Sequence, residues 1–356
     1  MCARKHFNKR PSDISLERID FEHINLDPIN LEHNDLGHNY RHNQRLLLLD
    51  NVQETWPLRL LHVKTMESIP RSEDERGVHY GGVRAPAYNI MSYTWGRYRD
   101  DAKGEAIAVT GPGGSNLGWD IPKIKRETAF GANDFSAVLR EVAGDGEFVW
   151  VDVACMNQNQ GSPDFADQLG KQAAIFNRAR QSYVWLHQTG EEEMKATLQL
   201  MTEILESAFE IREGVNSHGK YKNNIPQRHA DIKTLERLLV DPWFSSLWTL
   251  QEAYIQKDAV ILAKGGRTVH FRVSSVPELL TVRSISGICT QLHSWVWQPI
   301  KTLIDEAGLR QLQSKNPLVL LSASARRTAT QPADKIYGIM QIFGLRLASG
   351  WTCLAS

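Results

Sequence analysis

Short apolar segments alternate with stretches of helical periodicity between Trp56 and about residue 270, and few folds can bury such a pattern. The apolar segments are rich in β-branched and aromatic residues, and they lie at 58–63, 90–93, 106–109, 148–153, 183–186 and 260–263. Between them, apolar residues recur with three-and-four spacing, as at 134–142, 168–180 and 194–211. Strands that are apolar throughout are covered on both faces. The pattern therefore predicts an α/β fold with a mostly parallel sheet flanked by helices.

The two ends of the chain differ from this central part. Residues 1–54 hold five of the twelve His and many Asn without a period of 3.6 or 2, which predicts a poorly structured N-terminal extension. Their His and Asp residues lack the facing pairs of a metal site, so we expect no metal. After about residue 270 the pattern becomes helical, at 276–282, 299–312 and 334–343. We therefore expect an α/β unit at 55–270 and a helical C-terminal part at 271–356.

Charge and cysteine content exclude several classes of protein. The 41 basic and 41 acidic residues give a formal net charge of zero, which offers no argument for a nucleic-acid or membrane-surface partner. The four cysteines are far apart and form no CxxC pair, which indicates a reduced, intracellular protein without a cysteine zinc site. No segment approaches the ~18 uncharged residues of a membrane helix. We expect a cytoplasmic protein with neither nucleic acid nor membrane as partner.

Three short segments combine Trp with an apolar run and a few polar residues. They read YNIMSYTWG at 88–96, FVWVDVACMNQ at 148–158 and PWFSSLWTLQE at 242–252, and they contain four of the ten Trp. Because Trp is large and costly to misplace, such clustering marks either a dense core or a built site.

In wording and order, the three segments resemble the HET (heterokaryon incompatibility) domain of filamentous fungi, which reads roughly LSYxWG, WIDALCINQ and PWFxRxWTLQE. A weaker echo of its DKIYALLGL-like segment lies at 333–345, and 168–187 resembles its QVxxMxxIYxxAxxVxVWLG segment more loosely. The hydrophobic skeleton is kept, although individual positions depart from the pattern: Gln172 replaces Met, Phe176 replaces Tyr, His187 replaces Gly and Ser246 replaces Arg.

The third segment carries the sharpest candidate for chemistry. Asp241 and Pro242 predict a helix start, which puts Trp248 and Glu252 one turn apart on one face. The string SxWTxxE at 246–252 resembles the SxWCxxE segment of TIR domains, to which HET domains are similar and whose sheet is flavodoxin-like and parallel. In TIR domains that cleave NAD, the glutamate of this segment is catalytic.

This resemblance makes Glu252 a candidate catalytic residue and Trp248 a candidate nucleotide-binding residue. NAD would be a substrate, and no bound cofactor is implied. The alternative is that Glu252 caps or salt-bridges a surface helix while Trp248 belongs to the core.

The first segment places Ser92, Trp95 and Gly96 at the end of a strand. A flavodoxin-like fold has its ligand loop there, and Gly allows close approach of the backbone, so these three are candidate nucleotide-binding residues. A nucleotide phosphate near Ser92 and Gly96 fits this arrangement. A tight turn in which Trp95 seals the core fits it equally well.

The second segment predicts a strand that runs into a polar loop at 155–160. Ligands of open parallel sheets bind beyond the carboxyl ends of strands, so Asp152, Asn157 and Gln158 are further candidate nucleotide-binding residues. Asp152 would lie within the strand, where a charge needs a partner or a cleft. The alternative is that these side chains bond the loop backbone and hold the turn. Cys155 is expected to be a buried small apolar residue rather than a nucleophile.

By resemblance, HET domains act in non-self recognition between fungal strains, a form of innate immunity, and trigger programmed cell death of the fused cell. Two mechanisms stay open for this chain. In one, it is a TIR-like NAD hydrolase that is active after self-association, with Glu252 catalytic. In the other, it is a signalling or protein-interaction module without chemistry. A separate sensor protein or the N-terminal extension would supply recognition.

Overall fold

The structure is a computed structural model that describes residues 56–94, 98–125, 130–159, 162–212, 229–273, 276–329 and 334–343. The extension expected at 1–54, together with Trp95 and Gly96, lies outside the described residues. The described strands are β1 (Arg59–His62), β2 (Glu67–Asp74), β3 (Gly77–Tyr80), β4 (Val83–Arg84), β5 (Tyr88–Ser92), β6 (Phe148–Trp150), β7 (Gln181–Trp185), β8 (Val260–Leu262), β9 (His270–Val273) and β10 (Val276–Leu279).

The described α-helices precede, connect and follow the later strands. They are α1 (Ala132–Ala143), α2 (Asp152–Cys155), α3 (Pro163–Arg178), α4 (Glu191–Arg212), α5 (His229–Leu239), α6 (Pro242–Ser245), α7 (Leu247–Ile255), α8 (Val282–Leu292), α9 (Gln298–Glu306), α10 (Leu309–Leu312), α11 (Val319–Arg326) and α12 (Asp334–Met340). Two 3₁₀-helices lie at Pro112–Gly114 and Gln341–Phe343.

One sheet of eight strands organises the molecule, in the order β4-β3-β2-β1-β6-β5-β7-β8. Strands β6, β5, β7 and β8 are parallel to one another, whereas β1 to β4 form an antiparallel meander whose strand β1 pairs antiparallel with β6. The prediction of an α/β fold is confirmed, but the sheet is mixed rather than mostly parallel. The outer half of β2 is exposed and charged, as strands of an antiparallel sheet with a solvated face can be, so a search for apolar runs misses it.

Three further expectations about single elements are wrong. Residues 106–109 form no strand, because only isolated bridges at Glu105 and Thr110 flank them. The stretch at 276–282 is not helical, since it holds β10, which pairs with β9. The strand expected at 148–153 ends at Trp150, and Asp152 begins α2 instead of lying within a strand. A carboxylate at a helix start meets free backbone N–H groups, which is a far better place for it than a strand interior.

The buried residues of β7 and β8 alternate between two hydrophobic clusters, whereas those of β5 and β6 belong to one of them. Trp185 and Leu262 pack with α1, whereas Val184 and Ile261 pack with α4, α5 and α7. The C-terminal helices α8 to α11 bury their apolar residues in this second cluster, beside those of α4 and α7. None of the described helices has the length and apolarity needed to cross a membrane.

The first prediction concerns Trp150, which is 1% exposed and packs edge-on against Phe176. We expect Trp150→Ala to lower the free energy of unfolding by about 3–5 kcal/mol, a large share of a total near 5–15 kcal/mol, because a fully buried aromatic ring is lost. Chemical denaturation measures this change. Trp119→Ala is the matched control with a smaller expected loss, since Trp119 is only half-buried. An unchanged melting temperature for Trp150→Ala would contradict the burial of this ring.

Candidate functional site

The carboxyl end of β5 is a point where the strand order reverses. From β5 the chain continues to β6 on one side, then crosses to β7 on the other side, and Ser92 at the end of β5 pairs with Val184 of β7. Since β5 and β6 are parallel neighbours, Ser92 and the residues after Trp150 lie at the same edge, as the sequence predicts. Open α/β sheets bind their ligands at such a crevice beyond the carboxyl ends of the strands.

The third Trp-bearing segment forms two short helices that reach this edge. Asp241 caps α6 by accepting a hydrogen bond from Trp243 N at 3.0 Å, and Pro242 occupies its first turn. The backbone is extended at Ser246, which separates α6 from α7 and turns Glu252 toward β5. Thr249 Oγ1 donates to the carbonyl oxygen of Trp243, so the side chain that replaces Cys of the TIR-like pattern bonds the junction.

A buried arginine also holds this junction, and sequence reasoning missed it. Arg327 is 1% exposed and donates to the carbonyl oxygen of Ser246 at 2.8 Å, to Thr249 Oγ1 at 3.0 Å and to the carbonyl oxygen of Ala307 at 3.1 Å. Burial lowers its pKa to about 9, which still leaves it charged near neutral pH. In the sequence it is one of two adjacent arginines, a pattern typical of solvated charges.

Glu252 lies at the end of a hydrogen-bond chain that crosses three elements. The indole N–H of Trp243 can only donate, and it does so to Ser92 Oγ at 2.7 Å. Ser92 Oγ in turn donates to Glu252 Oε2. The other carboxyl oxygen, Oε1, accepts a hydrogen bond from Gln172 Nε2 of α3 at 3.0 Å. Trp243, Ser92 and Gln172 are all buried, so the carboxyl group is fixed from two sides.

The environment of Glu252 favours its neutral form. Part of the side chain is exposed, but protein encloses the carboxyl group itself, and this burial raises its pKa from 4.5 to about 8. The hydrogen bond from Ser92 acts in the opposite direction, and the negative charge of Asp152 adds to the rise. Glu252 is therefore mostly protonated at neutral pH in the ligand-free protein. Carboxyl groups with raised pKa values cluster at functional sites.

The candidates of the second segment separate into two groups. Asp152, at the start of α2, accepts a hydrogen bond from Val153 N at 2.7 Å and is close enough to act on the pKa of Glu252. Asn157 and Gln158 instead bond the loop: Asn157 Nδ2 donates to Ser162 Oγ at 3.2 Å, and Gln158 Nε2 donates to the carbonyl oxygens of Asp152 and Met156. These bonds correspond to the alternative in which both side chains hold the turn.

Three candidate nucleotide-binding residues remain, and the structure describes one of them, Trp248. Trp248 is half-buried and lies one turn before Glu252 on α7, whereas Trp95 and Gly96 are not among the described residues. Cys155 is 1% exposed, and burial raises the pKa of its thiol to about 12, so it is a buried apolar residue as expected.

His187 is a departure from the HET pattern that lies near this edge without contacting Glu252. It is fully buried, and Tyr98, Phe130 and Trp185 surround its ring. Burial lowers its pKa to about 4, so the imidazole is neutral at physiological pH. Its role in this cluster is therefore that of a packed aromatic ring.

Among the described residues, neither a metal-binding group nor the cavity at the amino end of β5 lies at Glu252. The described residues contain no group of three or more His, Cys, Asp or Glu that could hold a metal ion. A cavity of about 320 Å³ is lined by Trp56, Tyr88 and Arg178, among others, and thus lies at the amino end of β5. This is the opposite end of that strand from Ser92.

The fold and site define an α/β protein with an enclosed, hydrogen-bonded carboxyl group where parallel strands reverse their order. Residues 88–252 match the family model described as Heterokaryon incompatibility protein (HET). This match extends from Tyr88 of the first Trp-bearing segment to Glu252 of the third, and it supports a HET domain at these residues. No curated protein and no solved structure gives a significant match to the chain.

The second prediction follows from the raised pKa of Glu252. Its folded-state pKa of about 8 exceeds the ordinary value of 4.5. The stabilising effect of the bound proton is therefore complete below about pH 4.5 and is lost as the pH rises through 8. Between these values, the free energy of unfolding of the wild type should fall by up to about 1.4 kcal/mol per pH unit relative to Glu252→Gln.

Urea denaturation of both proteins at several pH values measures this difference. Glu252→Gln is the appropriate reference because it keeps the shape of the side chain and cannot ionise. A difference that stays constant from pH 5 to pH 8 would show that the carboxyl group is solvated.

Proposed function

We propose that this protein acts in heterokaryon incompatibility as a TIR-like NAD hydrolase in which Glu252 is the catalytic residue. The observation that carries the proposal is the enclosed carboxyl group of Glu252, bonded to Ser92 at the carboxyl end of β5. Loss of NAD from the cytoplasm would then kill the fused cell. Self-association would activate the enzyme, and a separate sensor protein would supply recognition.

The strand order supports the TIR-like part of the proposal. Counted from β5, the four parallel strands follow the order 2-1-3-4, which is the beginning of the flavodoxin-like order 2-1-3-4-5. In that fold the ligand binds at the crevice between the first and third strands. The corresponding strands here are β5 and β7, and Ser92 ends the first of them.

The chemistry needs one carboxylate. When the bond between the nicotinamide nitrogen and ribose C1′ breaks, nicotinamide leaves with the electron pair and positive charge develops on the ribose. A carboxylate held close to this carbon stabilises that charge, as in glycoside hydrolysis. Water then attacks C1′ and releases a proton, which yields ADP-ribose and nicotinamide. No general acid is required, because the nicotinamide ring is positively charged before it leaves.

The raised pKa of Glu252 fits this role when the charge of the substrate is included. The positive nicotinamide ring favours the ionised carboxylate, so substrate binding would release the proton that burial retains. Ser92 and Gln172 already point hydrogen-bond donors at the two carboxyl oxygens and are ready to stabilise the ionised form. Trp248, one turn away, would face the nucleotide as an aromatic surface.

The third prediction concerns the pH dependence of NAD cleavage. The kcat/KM value reports the protonation of the free enzyme, and only ionised Glu252 stabilises positive charge. We expect kcat/KM to rise about tenfold per pH unit below pH 8 and to level off above it, in line with the pKa of about 8. Steady-state rates of nicotinamide release from pH 6 to pH 9 measure this profile. A flat profile would indicate that no group with a pKa of about 8 controls the reaction.

The fourth prediction is that Glu252→Gln keeps the fold and lowers turnover by roughly 10²-fold or more, because it removes the charge but keeps the shape. NAD consumption by the purified protein and cell death after overexpression in a fungal host should fall together. Glu306→Gln is the matched control, because Glu306 is exposed on α9. Equal killing by Glu252→Gln would reject the enzymatic mechanism.

The second candidate function is a signalling module that binds a partner without chemistry. It is favoured by the hydrogen bonds that already occupy both oxygens of Glu252, and by the bonds of Asn157 and Gln158 to their own loop. Cell killing by a wild-type protein that consumes no NAD, lost in Glu252→Gln, would point to this function with Glu252 at the interface.

A further inference from the structure

The side chain of Gln341 bonds two backbone groups of helix α3 that lie one turn apart. Gln341 begins the 3₁₀-helix at Gln341–Phe343, which is called the C-terminal segment below. In a regular α-helix, Ala173 N would donate to the carbonyl oxygen of Leu169. Here Ala173 N donates to Gln341 Oε1 at 2.7 Å, and Gln341 Nε2 donates to the carbonyl oxygen of Leu169. The amide of Gln341 thus bridges the two groups that would pair with each other. An insertion of this kind opens the ladder and fixes the local geometry of a helix.

The bridged turn is the one that reaches Glu252. Gln172 lies between Leu169 and Ala173 in sequence, is 7% exposed, and donates from Nε2 to Glu252 Oε1 at 3.0 Å. The 3₁₀-helix at Gln341–Phe343 packs against both α3 and α7. The C-terminal segment therefore contacts the helix that carries Gln172 and the helix that carries Glu252.

We propose that Gln172 is a positioning residue for the Glu252 carboxyl group, and that Gln341, inserted in the ladder of α3, fixes Gln172 in that place. The catalytic consequence rests on the proposed function, whereas the positioning itself does not. Because two amide side chains connect the C-terminal segment to the carboxyl group, movement of that segment changes the environment of Glu252.

The chemistry of an amide suits this position. Among the described residues, Gln172 Oε1 is buried without a hydrogen-bond partner. Such an atom is costly to bury unless it is used in another state of the site. When Glu252 is ionised, Nε2 donates to it. When Glu252 is protonated at Oε1, a half-turn of the amide brings Gln172 Oε1 into position to accept that proton in a hydrogen bond.

The groups that face Glu252 come from several elements. Ser92 of β5 and Gln172 of α3 direct hydrogen bonds at it, and Asp152 of α2 acts on it through its charge. Gln172 bonds both forms of the carboxyl group, but a hydrogen bond to an ionised acceptor is the stronger one, so loss of Gln172 raises the pKa of Glu252. A purely structural role for Gln172 predicts a change in stability and no change in this pKa.

The fifth prediction compares Gln172→Met, Gln341→Leu and the double variant. NMR of the ¹³C-labelled glutamate side chains, with the Glu252 signal assigned by its loss in Glu252→Gln, measures the pKa of this carboxyl group directly. We expect Gln172→Met to raise the pKa by about 1 unit. Gln341→Leu should also raise the pKa of Glu252. The double variant should match Gln172→Met alone, because both changes act through one hydrogen bond.

Gln168→Met is the matched control. Gln168 is a buried amide on the same helix, but its Oε1 accepts a hydrogen bond from Leu58 N at 3.0 Å and it does not contact Glu252. Its loss should lower stability and leave the pKa of Glu252 unchanged. If Gln172→Met fails to fold, Gln172→Asn, which retracts the amide by one methylene group, gives the same test.

An unchanged pKa in Gln172→Met and Gln172→Asn would overturn the proposal. Additive shifts in the double variant would overturn the part assigned to Gln341. The pKa measurements do not depend on enzymatic activity. If the expected pKa shifts are found in a protein that does not cleave NAD, only the proposed function is rejected. Cleavage that depends on Glu252, with no pKa shift in the variants, would reject only the inference. In an active enzyme, the midpoint of the kcat/KM profile should move with the measured pKa.

Discussion

The hydrogen-bond chain from Trp243 through Ser92 to Glu252 is the interaction on which the arrangement of the site depends. Trp243 is the second residue of the third segment, and Ser92 ends the fully buried strand β5 at the centre of the parallel strands. Each member satisfies a buried polar group of the next, so loss of one leaves another without its partner, at a cost of about 1–3 kcal/mol. Ser92 and Glu252 are 160 positions apart in the sequence, yet the three hydrogen-bonded side chains form one polar unit inside an apolar core.

The burial that seals this unit also sets its electrostatics. An ionised carboxyl group loses hydration at this place, and the charge of Asp152 adds to that cost, so Glu252 retains its proton to about pH 8. The same environment strengthens any interaction between the ionised carboxylate and a positive ligand, because little water screens it. Such a site gains a stronger interaction with a positive ligand at a cost in the stability of the folded protein.

The sequence predicts those features that depend on neighbouring residues. The apolar runs at 148–153, 183–186 and 260–263 overlap the strands β6, β7 and β8, and the capped start of α6 at Asp241 and Pro242 follows from local rules. The polar strands β2 to β4 could not be found from apolar runs. Gln172, Arg327 and Gln341 are invisible to such reasoning for another reason, since their hydrogen-bond partners lie between 20 and 172 positions away along the chain. A buried polar side chain is defined by where the fold brings its partners, which single-sequence patterns do not contain.

The family match ends at Glu252, but the contacts of the matched region do not. Strand β8, which completes the parallel strands, begins at Val260, and the buried guanidinium of Arg327 donates to the carbonyl oxygens of Trp243 and Ser246. A fragment that stopped at the end of the match would leave the edge of β7 unpaired and the carbonyl oxygens of the α6–α7 junction without their cation. The matched stretch is therefore shorter than the set of elements with which it packs. Expression limits placed by motif boundaries alone would cut through the hydrophobic cluster that α4 and α7 share with the C-terminal helices.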